Sequence, residues 1–176
     1  MSCPQSFAGI PQDCSPSMGG IDLVLLANKD DVSAITVNSD GEISAITMET
    51  GAYFYEYRFR PGTGSMTSEY QIDEAAGVKY VQTLLSLVFS RMETAKRIEI
   101  GALALADAIA IVRDLNGKYW LLGKDHPLHL NAGGGETGTA RSDRNAYTIT
   151  LQDDSLELPY EVLDSIISAL IAPPTP

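Results

Sequence analysis

The sequence is short of cysteine, of histidine and of positive charge. Cysteine occurs twice, at Cys3 and Cys14, and the two do not form a C-x-x-C pair. A disulfide between them and two reduced thiols are both open; reduced thiols in a cytosolic protein is the simpler reading. Lys and Arg total 12 against 23 Asp and Glu, a formal charge of -11. That balance disfavours a broad basic patch for duplex phosphates. It suits ordinary solubility, and also a conduit whose wall must let DNA slide without sticking. No apolar run reaches the ~20 residues that a membrane helix needs, since the longest, near Ile100 to Val112, is broken by Asp107. The opening MSCPQSFAGIPQDCSPSMGG has no charged n-region and no apolar h-region, so no signal peptide is expected. Ser2 stands where an N-myristoyl pattern needs glycine.

What is present suits one packed domain. The chain has 176 residues, 44% hydrophobic and 20% charged, enough apolar material for a core and too little charge for wholesale disorder. Residues 1–20, with Pro4, Pro11 and Pro16, read as an extended arm, and residues 173–176 as a second short arm. Between them the chain reads as a β-rich domain over 21–172. DLVLLA is a short apolar strand, and the runs 32–37 and 42–48 flank NSDG, a hairpin turn. In GAYFYEYRFRPG, Tyr53, Tyr55, Tyr57 and Phe59 alternate with Glu56, Arg58 and Arg60, which predicts a strand. With MTSEYQID returning after RPGTGS, it predicts a long projecting hairpin over about 51–73. Residues 78–89 fit strand or helix, and strand is the preferred reading. METAKRIEIGALALAD predicts the one central helix, with Ala95, Ile98, Ala102 and Leu105 on its apolar side. IAIVRD and KYWLLG flank Asn116-Gly117, a strong hairpin signal. AYTITLQ predicts a strand, and YEVLDSIISALI a short C-terminal helix. The fold class that follows is mainly β, a sandwich or partly closed barrel with one central helix and a short C-terminal one.

Candidate chemistry is thin. NAGGGETGTA has no Gly-Lys-Ser/Thr ending and leads into a strand, so it reads as a loop between strands and not as a phosphate cradle. His126 and His129 offer two metal ligands where a site wants three or four, so no metal is expected. No G-x-S-x-G elbow places a nucleophile. Asp30-Asp31 and Asp153-Asp154 are adjacent pairs whose side chains point apart, and they read as solvated turn carboxylates. Trp120 reads as a core or subunit-contact aromatic. No enzyme activity and no cofactor is expected.

The C-terminal half resembles virion structural proteins of phages that infect Bacteroidetes-type bacteria. The resemblance is carried by Asn116, Gly117, Trp120, Gly123, Asp143, Asn145, Tyr147, Thr150 and Pro159, with Ala146 departing where glycine is expected. The order of strands, projecting hairpin, helix and closing strands is similar to tail tube proteins of tailed phages. That resemblance implies six subunits in a ring with a continuous, acidic inner β-wall, and rings that stack through hairpins, loops and termini. Subunit contacts would then fall on Arg58, Arg60, Pro61, Gly62 and Gly64 of the hairpin tip, on Gly133, Gly134 and Gly135, and on Arg141 and Arg144. Glu42, Glu56 and Glu69 would face the lumen. Partners would be further copies, other tail or neck proteins, and passing DNA held without specific binding; no membrane is involved. The protein would be made in the bacterial host cytoplasm and reside in the virion tail. The alternatives are a capsid decoration or head–tail adaptor protein, and a small β-barrel enzyme or ligand-binding protein.

Overall fold

The computed structural model describes residues 8–173. Two β-sheets pack face to face, with a helix at one side and another beneath. The first strand, β1 (Ile21–Asn28), and the seventh, β7 (Ala108–Asp114), pair antiparallel at the centre of the larger sheet. Their central runs, LVLLA and AIAIV, are continuously apolar because both of their faces are covered. Val24, Leu26, Ala110 and Val112 enter one core, while Leu25, Ala27, Ile109 and Ile111 enter a second.

The larger sheet has seven strands in the order β2-β3-β11-β8-β7-β1-β4. Here β2 is Val32–Val37, β3 Ile43–Met48, β4 Tyr55–Tyr57, β8 Tyr119–Leu122 and β11 Tyr160–Val162. The single parallel neighbour pair is β11 with β3. The expected hairpins over 32–48 and 108–122 are both present. In the second, Gly117 takes the left-handed φ of +83° that the Asn-Gly turn requires, and Asp114 Oδ1 accepts the Asn116 and Lys118 N–H groups.

The smaller sheet has four strands in the order β5-β6-β10-β9. These are β5 (Ser65–Asp73), β6 (Val78–Ser90), β9 (His129–Glu136) and β10 (Ala146–Ser155). The ambiguous run 78–89 is a strand. Leu85, Leu87 and Phe89 of β6 and Ile149 and Leu151 of β10 face the larger sheet and complete the first core.

Helix α1 (Thr94–Leu103) closes one side of that core. Its predicted face is corrected. Leu103 is buried and Ile100 packs on the core, whereas Ile98 and Leu105 are 60% and 92% exposed. The apolar stripe through Ala95, Ile98, Ala102 and Leu105 points to solvent. Position 100 and position 103 share the opposite side of the turn, and their contact with Leu26-side strands sets the orientation. Helix α2 (Asp164–Leu170) plugs the second core through Ile167 and Leu170. The predicted helix over YEVLDSIISALI is present but starts later: YEV is β11, and the helix begins at Asp164.

The long hairpin over 51–73 is not formed. Tyr55–Tyr57 pairs with β1 in the larger sheet, and Ser65–Asp73 pairs with β6 in the smaller one. The segment between them crosses from sheet to sheet. Phe54 holds the first half in place: it is fully buried in the second core, its N–H donates to the Leu170 carbonyl, and its own carbonyl accepts from Ala172. The projecting hairpin is instead β5–β6, whose tip runs past the end of β10. Residues 8–20 carry no strand or helix and are exposed throughout. The Cys3–Cys14 question lies outside the described residues, as do 1–7 and 174–176; Cys14 itself is exposed. No described helix is long and apolar enough to cross a membrane.

Candidate functional site

The smaller sheet presents the one face on which the sequence's charge asymmetry becomes geometry. Alternation along each strand puts Met66, Ser68 and Tyr70 of β5 on the inward side, opposite Leu85, Thr83 and Val81. The outward side then carries Ser65, Thr67, Glu69, Gln71 and Asp73 of β5. Across β6 it continues through Gln82, Leu84 and Ser86, and across β10 through Thr148, Thr150, Gln152 and Asp154. Glu136, Gly134 and Ala132 of β9 finish it. This is a surface mainly of hydroxyls, amides and the carboxylates of Glu69, Asp73, Glu136 and Asp154, interrupted by Val78, Tyr80, Leu84 and Val88 of β6 and with Arg144 paired to Glu136 at its β9 edge. The four strands hold one Lys and no Arg, and that Lys79 lies on the inward side, opposite Ile72.

Among the described residues, neither edge of this sheet is paired. The β9 edge corrects the reading of the glycine-rich stretch as a loop: Gly133, Gly134 and Gly135 are strand residues opposite Ile149, Thr148 and Tyr147. Glycine weakens a strand, yet here the partner strand supplies a full ladder and the glycines admit close neighbours. A Cβ on Gly135 would lie 2.9 Å from the Tyr147 ring. The other edge is β5, which bonds to β6 alone.

The remaining expected contact residues scatter. Arg58 pairs with Glu56 at 2.8 Å on the surface. The Arg60 carbonyl accepts the Thr63 N–H in a turn built on Pro61 and Gly62. Gly64 is a packing residue beneath Phe59. Arg144 pairs with Glu136 at 2.9 Å, and Arg141 is exposed in the same 137–145 connection. Glu42, Glu56 and Glu69 do not share a face. Glu42 sits at the β2–β3 turn, Glu56 in β4 and Glu69 in β5, on two different sheets.

The residues that carry the phage resemblance hold turns. Trp120 Nε1 donates to Asp114 Oδ2, Asp143 Oδ2 accepts the Thr139 and Ala140 N–H groups, and Asn145 Oδ1 accepts the Met92 N–H. Those N–H groups hold the exposed Asp143 carboxyl below its ordinary value. Ala146 is a fully buried strand residue, so the expected glycine is not needed there.

Asp153 corrects the reading of its pair as solvated. It is 3% exposed, on the inward side of β10, while Asp154 points outward. Its Oδ2 accepts the Gly123 N–H at 3.0 Å and its Oδ1 the Ser155 hydroxyl at 2.8 Å. Burial pushes its pKa up against those two hydrogen bonds. Nearby, Lys29 Nζ donates to the Gly123 and Lys124 carbonyls, both at 2.7 Å. These groups are satisfied among themselves and tie the β8 end to β10, which is a structural task. His126 and His129 are both exposed, and among the described residues no three His, Cys, Asp or Glu are placed to hold a metal.

The outward face was legible in TITLQDD, where Thr and Gln alternate with Ile and Leu. The open edges were not, because pairing partners are set by topology. Compared with known proteins, the chain matches no family model, no curated protein and no solved structure. Fold and site together define a two-sheet β-sandwich protein with one polar, acidic face flanked by two open strand edges.

Proposed function

We propose that this protein is a structural subunit of a phage virion, forming a tail tube or a tail or neck ring through which DNA passes. The observation that carries the reading is the smaller sheet: a face onto which its own strands project no Lys or Arg, with Arg144 spent on Glu136 at one edge, between two edges that are unpaired among the described residues. Free edges of this length invite pairing with another chain unless they are blocked. The sheet has four strands, all antiparallel to their neighbours, so its two edges run in opposite directions. Rotation of copies about an axis along the strands brings β9 of one copy antiparallel to β5 of the next. A heterologous contact of that kind closes into a ring, and a ring removes both edges. The outward face then lines the lumen, with neutral hydroxyls and amides that add no charge attraction for phosphate and carboxylates that repel it.

The resemblance at Asn116 to Pro159 supports the same reading, with six copies as the expected ring. The solvent-facing stripe of α1 and the exposed segment 8–20 lie off the smaller sheet, where contacts between rings or to other tail or neck proteins would form. The test is negative-stain electron microscopy of the purified chain with light scattering on the same sample. Rings or open tubes are the expected result. A monodisperse monomer at high concentration overturns the conduit, and binding of that monomer to capsids would favour a decoration or adaptor protein.

A further inference from the structure

The two edges of the smaller sheet differ on their inward side in a complementary way. On β5, Tyr70 and Ile72 face inward but lie past the cover of the larger sheet, 50% and 61% exposed. Lys79 Nζ, 5.4 Å from the ring centre of Tyr70, is the one charged group set over that ring. On β9 the inward positions include Gly133 and Gly135, which have no side chains. The gap they leave is an open groove of about 260 Å³ between β9 and α1, lined by Ile100, Leu130 and Tyr147 with Arg97 on its wall. One edge has uncovered apolar side chains, and the other has an uncovered apolar hole on the same side of the same sheet.

Resting on the ring reading above, we propose that Tyr70 of one copy fills the groove between α1 and β9 of the next, as the knob that fixes the register of the ring contact. A second copy is the occupant that the geometry favours, because β5 running antiparallel along β9 keeps inward side chains inward. The stagger agrees. Met66, Leu85, Leu151 and Leu130 form one row across the sheet. Tyr70 lies four residues along β5 from that row, and Gly133 lies two ladder rows from it in the opposite direction. Setting Tyr70 beside Gly133 therefore staggers neighbouring copies by six rows, ~20 Å along the strands for ~19 Å across four of them, a tilt near 45°. Closed β-barrels adopt tilts of this size. The phenol edge then rests on Ile100 and Leu130 and its face meets the Arg97 guanidinium.

The test uses the full chain. Tyr70→Ala is expected to raise the concentration needed for ring formation at least ~10-fold, as removal of a central aromatic anchor does, while Tyr70→Phe assembles as the parent. Gly133→Leu, which fills the groove from within, is expected to act like Tyr70→Ala. A Cβ at Gly133 makes only ordinary contacts, with Leu130 at 3.4 Å, and Gly133→Ala serves as the smaller control; melting curves check that both variants keep their fold. Ala104, just after α1, also lines the groove; in a Cys3→Ser, Cys14→Ser background, a chain with Tyr70→Cys mixed with a chain with Ala104→Cys is expected to give a disulfide-linked dimer that neither gives alone. Rings of Tyr70→Ala at the parent's concentration, or rings without the mixed disulfide, overturn the knob and leave the ring reading standing. A parent chain that forms no rings overturns both.

Discussion

Gly64 lies directly beneath the ring of Phe59: a Cβ on Gly64 would stand 2.5 Å from Phe59 Cε2 and 2.9 Å from Ile21 Cγ1. Phe59 packs on the first core just where the chain crosses from the larger to the smaller sheet. Gly64→Ala is therefore expected to destabilise by about 1–3 kcal/mol, through forced displacement of a core ring. Arg58→Ala, which removes only a surface ion pair, is expected to change stability by less than about 1 kcal/mol. Urea unfolding of both variants checks the pair. Equal effects would return Gly64 to the surface role that the sequence suggested.

Asp153 gives a pH dependence whose sign follows from its burial. Its native pKa lies above the ordinary aspartate value of 3.8, so between those two values the folded state binds more protons than the unfolded one. Stability from this group is greatest at low pH and falls as pH rises through the native pKa. Asp153→Asn keeps an acceptor for the Gly123 N–H and removes the buried charge. It is expected to match or exceed the parent at pH 7 and to lose that advantage as pH falls towards 4. Asp153→Leu orphans the Gly123 N–H and is expected to cost about 1–3 kcal/mol. Melting temperatures across pH 4–8, taken as differences from the parent, isolate this group from Asp114 and Asp143. Their shifts run the other way: in Asp114 the raising effect of burial is outweighed by hydrogen bonds from Lys118, Trp120 and Asn116, and in Asp143 the backbone N–H groups dominate.

Local chemistry explains which elements could be read in advance. Asn116-Gly117 and NSDG are turn signals with a backbone cause, and both hairpins formed. The continuous apolar runs of β1 and β7 follow from coverage on both faces. Phe54 shows the limit. It sits between Tyr53 and Tyr55 in a clean alternation, yet it is the fully buried member because α2, more than a hundred residues later, arrives on its side of the sheet. The same long-range pairing decided that 55–57 and 65–73 belong to different sheets. A helix stripe of Ala95, Ile98, Ala102 and Leu105 has the right period, but period alone does not say which of two apolar sides meets the core.

The glycine strand makes a separate prediction about β9. Gly134 has extended backbone and nothing within 4 Å of a built Cβ, while Gly135 would press on Met92 Cε at 2.8 Å. Gly134→Thr is expected to stabilise by about 0.5–1 kcal/mol, since a strand residue replaces the least strand-favouring one. Gly135→Ala is expected to destabilise by about 1 kcal/mol or more, through its contact with Tyr147. If 131–136 were a loop, neither sign would hold. Chemical denaturation of the two variants decides between strand and loop.

The polar face of the smaller sheet should be convertible from a surface that DNA slides past to one that it binds. Gln82 and Thr150 both project outward from the middle strands, and neither takes part in a core cluster. Replacing both with Lys adds two positive charges per copy to a face whose only neighbouring guanidinium among the described residues, Arg144, is already paired with Glu136. In a ring those charges converge on the lumen, where low-dielectric walls concentrate their field. Assembled Gln82→Lys, Thr150→Lys protein is expected to retain linear duplex DNA in a gel-shift experiment, with binding that falls steeply as salt rises because each phosphate contact releases counterions. The parent is expected to retain none. Covalently closed circular duplex separates lumen from outer surface, because a closed ring cannot be threaded by DNA without ends. Retention of linear but not of closed circular duplex places the substituted face inside the ring. Equal retention of both places it outside, and would overturn the assignment of this sheet to the lumen even if rings are seen.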